Sequence, residues 1–387
     1  MPRKPRHPQI RSRGAALCLL SCVFLWHASS LASAQVTRFA AIGDYGDDDK
    51  EELDVSNLVK SWNPEFILTL GDNNYDDGEA STIDQNVGKY YHDFIHPYLG
   101  SYGQGADINR FFPTLGNHDW RATNAQPYLD YFTLPGNERY YEFKWGGVHF
   151  FALDSDEREP DGYTSNSVQG QWFQQKIQAS DAIWKVVYFH HSPYSSSLHG
   201  VDKDMQWPFQ QWGATIVLSA HDHTYERIQR DGFPYIVNGL GGRSIYEFNK
   251  PPVDGSMVRY NGDFGALLVE AGLTTMTLRF FNRSAEEIDQ LVLTRNMPDP
   301  PRKLIASGKV AAVALRWKPS RTGNVHWYRV HRAPSITSRF IPIATVRSLT
   351  FIDDGRAHGE LLFYYVTAIS SQGLESVSSN IEGALVR

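Results

Sequence analysis

Cysteine is almost missing from this chain. Only Cys18 and Cys22 occur in 387 residues, and both fall within the first 34. That stretch opens with Arg3, Lys4, Arg6, Arg11 and Arg13. It continues as an apolar run from Ala15 to Trp26 and closes on Ala32-Ser33-Ala34, the small residues that a signal peptidase needs. The run is too short to span a bilayer comfortably, so the segment reads as a cleaved secretory signal with the mature chain starting near Gln35. The mature chain then has no disulfide and no thiolate ligand, and any metal must be held by oxygen and nitrogen. The five basic residues leave with the signal and no acid does, so the net charge moves from −6 to −11. No basic run remains to give an electrostatic footprint for nucleic acid, and no membrane partner is expected after cleavage. The expected location is secreted or periplasmic. Hydrophobic residues make up 41% of the chain, enough for a sizeable core.

From Thr37 onward, short apolar strands end repeatedly in polar clusters. FAAIGDYG, FILTLGDNN, FFPTLGNHD, KVVYFHHSP and IVLSAHDH are the five clear cases. Loops beyond the carboxyl ends of strands form the ligand site in α/β proteins. The side chains at these ends are Asp44, Asp72, Tyr75, Asn117, His118, Asp119, His190, His191, His221 and His223. Singly, each is an ordinary turn or surface residue; five strands ending this way point to a site. Two metals sharing a bridging carboxylate need about this many donors, and carboxylate, amide and imidazole suit a hard or borderline ion. His221 and His223, one residue apart, share a face in an extended segment. GQWFQQKIQASD from Gly170 reads as a short helix, YYEFKWGGVHFFALD as a hairpin turned at Gly146-Gly147, and ALLVEAGLTTMTLRFF from Ala266 as the closing strands of the sheet.

PDPP at residues 298 to 301 is a linker signal. Beyond it, Leu315 and Trp317, Tyr328 and Val330, and Leu362, Tyr364, Val366 and Ala368 alternate with period two, as in a small β-sandwich. YRVHRA, TFIDDG and YYVTAISSQGLESVSSN, with the early Trp317, resemble a fibronectin type III module, apart from Leu362 at the position of the corner tyrosine. The expected division is a signal at 1–34, a catalytic domain at 35–296 and a fibronectin type III-like domain at 297–387.

In order, Asp44-Tyr45-Gly46, Gly71-Asp72-Asn73-Asn74-Tyr75, Gly116-Asn117-His118-Asp119, Val187-Tyr188-Phe189-His190 and Ala220-His221-Asp222-His223 resemble the five blocks of the calcineurin-like metallophosphoesterases, and more narrowly those of the purple acid phosphatases. Gly46 stands where the broader family carries a histidine, and Tyr75 is the exchange that marks the purple enzymes. The resemblance implies an α/β fold, a four-layer β-sandwich flanked by helices. It implies a ferric ion held by Asp44, Tyr75 and His223, a bridging Asp72, and a divalent ion (Fe, Zn or Mn) held by Asn117, His190 and His221. His118 and His199 would contact the phosphate and serve as proton donors. The spacing from Val187 favours His190 as the ligand and leaves His191 beside the substrate. The implied activity is hydrolysis of phosphomonoesters by attack of a metal-bound hydroxide. The alternatives are a phosphodiesterase of the same fold and a surface-binding protein with an inactive catalytic domain. The C-terminal module is open to a surface or polysaccharide contact. Ala220 departs from the glycine usual in its block; its small methyl group should be tolerated.

His92 and His96, the acidic run 47 to 52, and Asp76 with Asp77 read as structural or solvated. Asn282-Arg283-Ser284 matches a glycosylation acceptor. Trp172, Trp184 and Trp212 read as core anchors rather than a binding platform.

Overall fold

A computed structural model describes residues 36–387. The signal reading, with Cys18 and Cys22, lies outside the described residues. Thirteen strands precede the PDPP linker: β1 (Thr37–Ile42), β2 (Phe66–Thr69), β3 (Phe111–Pro113), β4 (Tyr141–Trp145), β5 (Val148–Ala152), β6 (Trp184–His191), β7 (Ile216–Ala220), β8 (Tyr225–Arg230), β9 (Phe233–Asn238), β10 (Ser256–Tyr260), β11 (Gly265–Ala271), β12 (Thr275–Asn282) and β13 (Glu287–Thr294). They form two mixed sheets, ordered β13-β12-β11-β1-β2-β3 and β10-β8-β9-β7-β6-β5-β4.

The sheets face each other across an aromatic core. Phe39 of β1 meets Phe150 of β5 edge-on at 5.1 Å, and Phe66 meets the same ring at 5.2 Å. Such pairs add to the burial of large apolar area. The helix Lys50–Ser61 packs on β11 and buries Val55, Leu58 and Val59. The helix Val168–Ala179 covers the other sheet, placing Phe173 and Ile177 against Phe151, Val187 and Val217. Its cap is Ser167, whose hydroxyl accepts from the Gly170 amide. The expected hairpin turns at Gly146-Gly147, with Trp145 opposite Val148.

Register sets up the site. β1, β2 and β3 run parallel, with Ile42 level with Thr69 and Thr69 with Pro113. β5, β6 and β7 are also parallel, with Ala152 level with Tyr188 and Tyr188 with Leu218. The carboxyl ends of these strands therefore share one rim, where α/β proteins build ligand sites.

Past residue 301 the chain is all β: β14 (Arg302–Lys309), β15 (Ala312–Lys318), β16 (Val325–Ala333), β17 (Ile341–Val346), β18 (Thr350–Asp354), β19 (Leu361–Ser370) and β20 (Glu382–Leu385). Sheets β14-β15-β18 and β17-β16-β19-β20 enclose Leu315, Trp317, Tyr328, Val330, Tyr364 and Val366. Leu362 is buried where a corner tyrosine was expected. Tyr364, two residues on, supplies a buried hydroxyl that donates to Asp353 at 2.7 Å.

Two readings need correction. The acidic run 47 to 52 is not a solvated loop: Asp49 caps the helix Lys50–Ser61 by accepting from the Glu52 amide, and Glu52 is fully buried, accepting from the amides of Asp47 and Asp48. Asp76 is more than a turn: its carbonyl accepts from His118 Nδ1 and its carboxylate pairs with Arg243. His92 and His96 are structural, each bonding a carbonyl through Nδ1. The Asn282 amide is buried and bonded to Glu286, so a glycan at that acceptor would have to displace it. Trp184 is buried, with its indole N–H donating to the Gly272 carbonyl, an anchor as expected.

Candidate metal centre

Five strand ends converge on the rim. β1 delivers Asp44, β2 leads into Asp72 and Tyr75, β3 into Asn117 and His118, β6 carries His190 and His191, and β7 leads into His221 and His223. Asp44, Asp72 and His221 all adopt positive φ, at 56°, 53° and 70°. For residues with a Cβ this is strained, and such strain clusters at functional sites.

The donors fall into two sets. In one, Tyr75 Oη lies 3.1 Å from Asp44 Oδ1 and 3.3 Å from His223 Nε2, while His223 Nε2 is 3.1 Å from Asp44 Oδ1. In the other, His190 Nε2 lies 3.1 Å from both Asn117 Oδ1 and His221 Nδ1. Asp72 joins them, with Oδ2 at 3.0 Å from Tyr75 Oη and 3.4 Å from His190 Nε2. The seven residues assigned by resemblance thus meet, with Asp72 between the two sets.

The donors fit metal ions. Asp44 and Asp72 are fully buried, and among the described residues no lysine or arginine pairs with either. Buried carboxylates need a cation. Burial, with Asp44 and Asp72 beside it, pushes the Tyr75 phenol well above its ordinary value. Burial would also raise Asp72, but the His190, His118 and His221 imidazoles hold it below the usual carboxylate range. The set contains no thiolate, which suits hard or borderline ions.

Gly46 explains the exchange with Tyr75. A Cβ there would lie 1.8 Å from the Asn73 carbonyl oxygen, and the Tyr75 amide donates to the Gly46 carbonyl at 2.8 Å. The loop that presents Tyr75 fills the space a side chain at 46 would need. Ala220 is accommodated by its neighbour: a Cβ on Gly43 would meet the Ala220 methyl at 2.6 Å, so glycine at 43 makes the room.

A supporting layer fixes these side chains, as neighbours of metal ligands generally do. Ser244 Oγ bonds His223 Nδ1 at 2.6 Å, and Tyr246 stacks on the same ring at 4.1 Å. The Leu70 carbonyl bonds His190 Nδ1 at 2.8 Å. Asp119, fully buried, accepts from the Gly116 amide and from Asn73 Nδ2, both at 2.9 Å. Burial and then Asp72 push its carboxyl up to about 7. His191 Nδ1 bonds Ser155 Oγ at 2.9 Å, and its ring lies 4.4 Å from His221. Its donor atom falls within 4.8 Å of those of His190 and His221, so it belongs to the cluster as well. His118 lies tilted against the Tyr75 ring at 4.4 Å, and His199 stacks on His221 at 3.9 Å. Ser155, Ser244, Tyr246 and Arg243 escaped the sequence reading because they lie outside the five blocks. Asp119 and Asp222 lie inside them; Asp222 holds the His199 and Gly200 amides.

Residues 37–225 match the calcineurin-like phosphoesterase family. They form a calcineurin-like phosphoesterase domain. Similar chains include purple acid phosphatase 7 of Arabidopsis thaliana, 25% identical over 49% of this chain and 63% of its own length. Purple acid phosphatase 17 of the same plant is 21% identical over 72% of this chain and 90% of its own. Rat tartrate-resistant acid phosphatase type 5 is 22% identical over 69% and 93%. In fold, the phosphoesterase domain resembles a purple acid phosphatase from yellow lupin seeds (TM-score 0.57, 18% identity, 68% of this chain and 54% of that one). It also resembles GAP50, the anchor in the inner membrane complex of Plasmodium (TM-score 0.54, 20% identity, 67% and 89%). The phosphoesterase domain of this chain is thus similar to the purple acid phosphatases, and an all-β domain follows it.

Proposed function

We propose that this protein is a secreted dimetal acid phosphatase acting on phosphomonoesters. The observation that carries the reading is Asp72 standing between two complete donor sets, one of which contains Tyr75. Asp44, Tyr75 and His223 would hold a ferric ion; Asn117, His190 and His221 would hold a divalent one. Bound there, the pair supplies a Lewis acid for the phosphoryl oxygens and an acidified water as nucleophile. The protein does the rest by placement. His118 donates Nδ1–H to the Asp76 carbonyl, which leaves Nε2, 3.9 Å from Asp72 Oδ2, to face a substrate. A proton there is what a leaving alkoxide requires. His199, stacked on His221 and fixed by Asp222, stands by the same edge and would act alongside it. His191, held by Ser155, would line the substrate side. Among the described residues no helix is long and apolar enough to cross a membrane.

The test is a visible spectrum with metal analysis, followed by turnover of a nitrophenyl phosphate and of its bis ester. A tyrosinate band that disappears in Tyr75→Phe, with the monoester preferred, supports the reading. A colourless protein holding two divalent ions overturns the ferric assignment. Preference for the bis ester reassigns the enzyme as a phosphodiesterase.

A further inference from the structure

A second concave site lies at the other end of β6. Lys185, near the start of that strand, precedes His190 by five residues, about 16 Å of extended chain. The cavity there has a volume of about 770 Å³ and is walled by both the phosphoesterase domain and the C-terminal sandwich. Three cations line it: Lys185, Arg295 and, from β16, Arg329. Such a concentration is unexpected in a chain whose net charge is −6.

Two of these cations lack a paired carboxylate. Among the described residues, no carboxylate lies within 4.0 Å of the charged groups of Lys185 or Arg295. Arg329 is already engaged by Glu375. Asp181, the acid on the cavity wall, pairs with Lys144. Arg295 stacks over Trp184 at 5.3 Å and donates from Nη2 to Thr215 Oγ1 at 3.3 Å, but its Nε is buried without an acceptor. Unmet buried donors are rare in folded proteins, because they lose hydration without compensation. Burial and the neighbouring Arg295 push the Lys185 ammonium below its ordinary value. Two half-buried cations set against each other destabilise the fold unless an anion separates them. The wall adds Gln210, Ser371 and Gln372, which can donate to further oxygens. The volume matches that of small-molecule sites.

We propose that this junction cavity is an anion-binding site in which Lys185 and Arg295 grip the oxyanion of a small oxygen-rich molecule, a phosphate or a carboxylate. The oxyanion takes the Arg295 guanidinium and the Lys185 ammonium, and the rest of the molecule lies between the two domains. Occupancy ties the C-terminal sandwich to the phosphoesterase domain at a point remote from the metal centre.

Calorimetric titration of the metal-loaded protein with inorganic phosphate and, separately, with glucuronate tests this. The arms are wild type, His221→Ala, and Lys185→Gln combined with Arg295→Gln. The expected result is a binding step retained in His221→Ala and weakened at least tenfold in the double variant, whose phosphatase turnover is unchanged. The probe that shows this step identifies the oxyanion class. Gln372→Glu, an exposed position on the wall, puts a carboxylate into the cavity and should weaken the same step even if the double variant fails to fold. Binding of both probes that vanishes in His221→Ala, or that is untouched by Gln372→Glu and by the double variant, overturns the proposal.

Discussion

The chain contains two sandwiches, and only one gathers potential ligands. In the C-terminal sandwich every pairing between named strands is antiparallel, so successive strand ends alternate between opposite edges. Its polar groups satisfy one another locally, as in the pairing of Arg332 with Asp353, which also accepts from Tyr364. In the phosphoesterase domain the central strands are parallel, so all their carboxyl ends reach one rim. There Asp44 and Asp72 are buried with charges that no lysine or arginine neutralises among the described residues. The difference shows how topology rather than composition concentrates buried charge, and buried charge of one sign invites a cation.

The contrast can be broken hardest at its centre. Asp72→Asn removes the carboxylate shared by both donor sets. If the metals contribute several kcal/mol to the transition state, turnover should fall by at least about 1,000-fold. Metal analysis should show fewer ions per chain, and an unchanged metal content with full turnover would deny Asp72 the bridge.

Asp119→Asn probes the supporting layer of the same rim. It keeps the shape but alters the acceptor that positions the Asn73 and Gly116 amides. Loss of a neighbour of this kind costs about 10- to 100-fold in metal affinity or activity. A metal titration followed by turnover measures it.

The other sandwich should respond in the opposite way. Trp317→Ala empties a buried position in the C-terminal core. Such truncations cost about 3–5 kcal/mol. Thermal unfolding should show an earlier transition for that domain, with turnover of the phosphomonoester unchanged. A parallel loss of turnover would mean that the two sandwiches do not act separately.

The smallest effect concerns Glu52, whose carboxyl burial raises well above its ordinary value. A raised folded-state value means the folded protein holds this proton more tightly than the unfolded chain does. Its stabilising contribution is present below the unfolded value of about 4.3 and is lost progressively as pH rises above it. Glu52→Gln keeps an acceptor for the Asp47 and Asp48 amides and removes the titration. The melting temperature of the variant relative to wild type should therefore climb between about pH 5 and pH 8. A difference that is flat with pH would place an ionised Glu52 in the folded state.

Much of the rim was legible because its candidate ligands sit in short blocks directly after apolar strands. The five blocks, the Gly46 and Tyr75 exchange, and the period-two pattern of the C-terminal strands are all local. What escaped was set by partners distant in the chain. Glu52 looks solvated within an acidic run, yet the amides just before its helix draw it inward. Asp76 looks like a turn, yet Arg243 and His118 use it. Ser155 and Ser244 carry no signal of their own, being ordinary serines until the fold sets them against His191 and His223.

The sequence by itself determined the donor types, their order, and the absence of cysteine beyond residue 22, because side-chain chemistry and local strand periodicity need no tertiary context. Only the tertiary structure decided which histidine faces Asp72 and Asn117, why position 46 has no room for a side chain, and that Lys185 and Arg295 line one cavity. Those outcomes depend on register and on close approach between segments 27 to 118 residues apart.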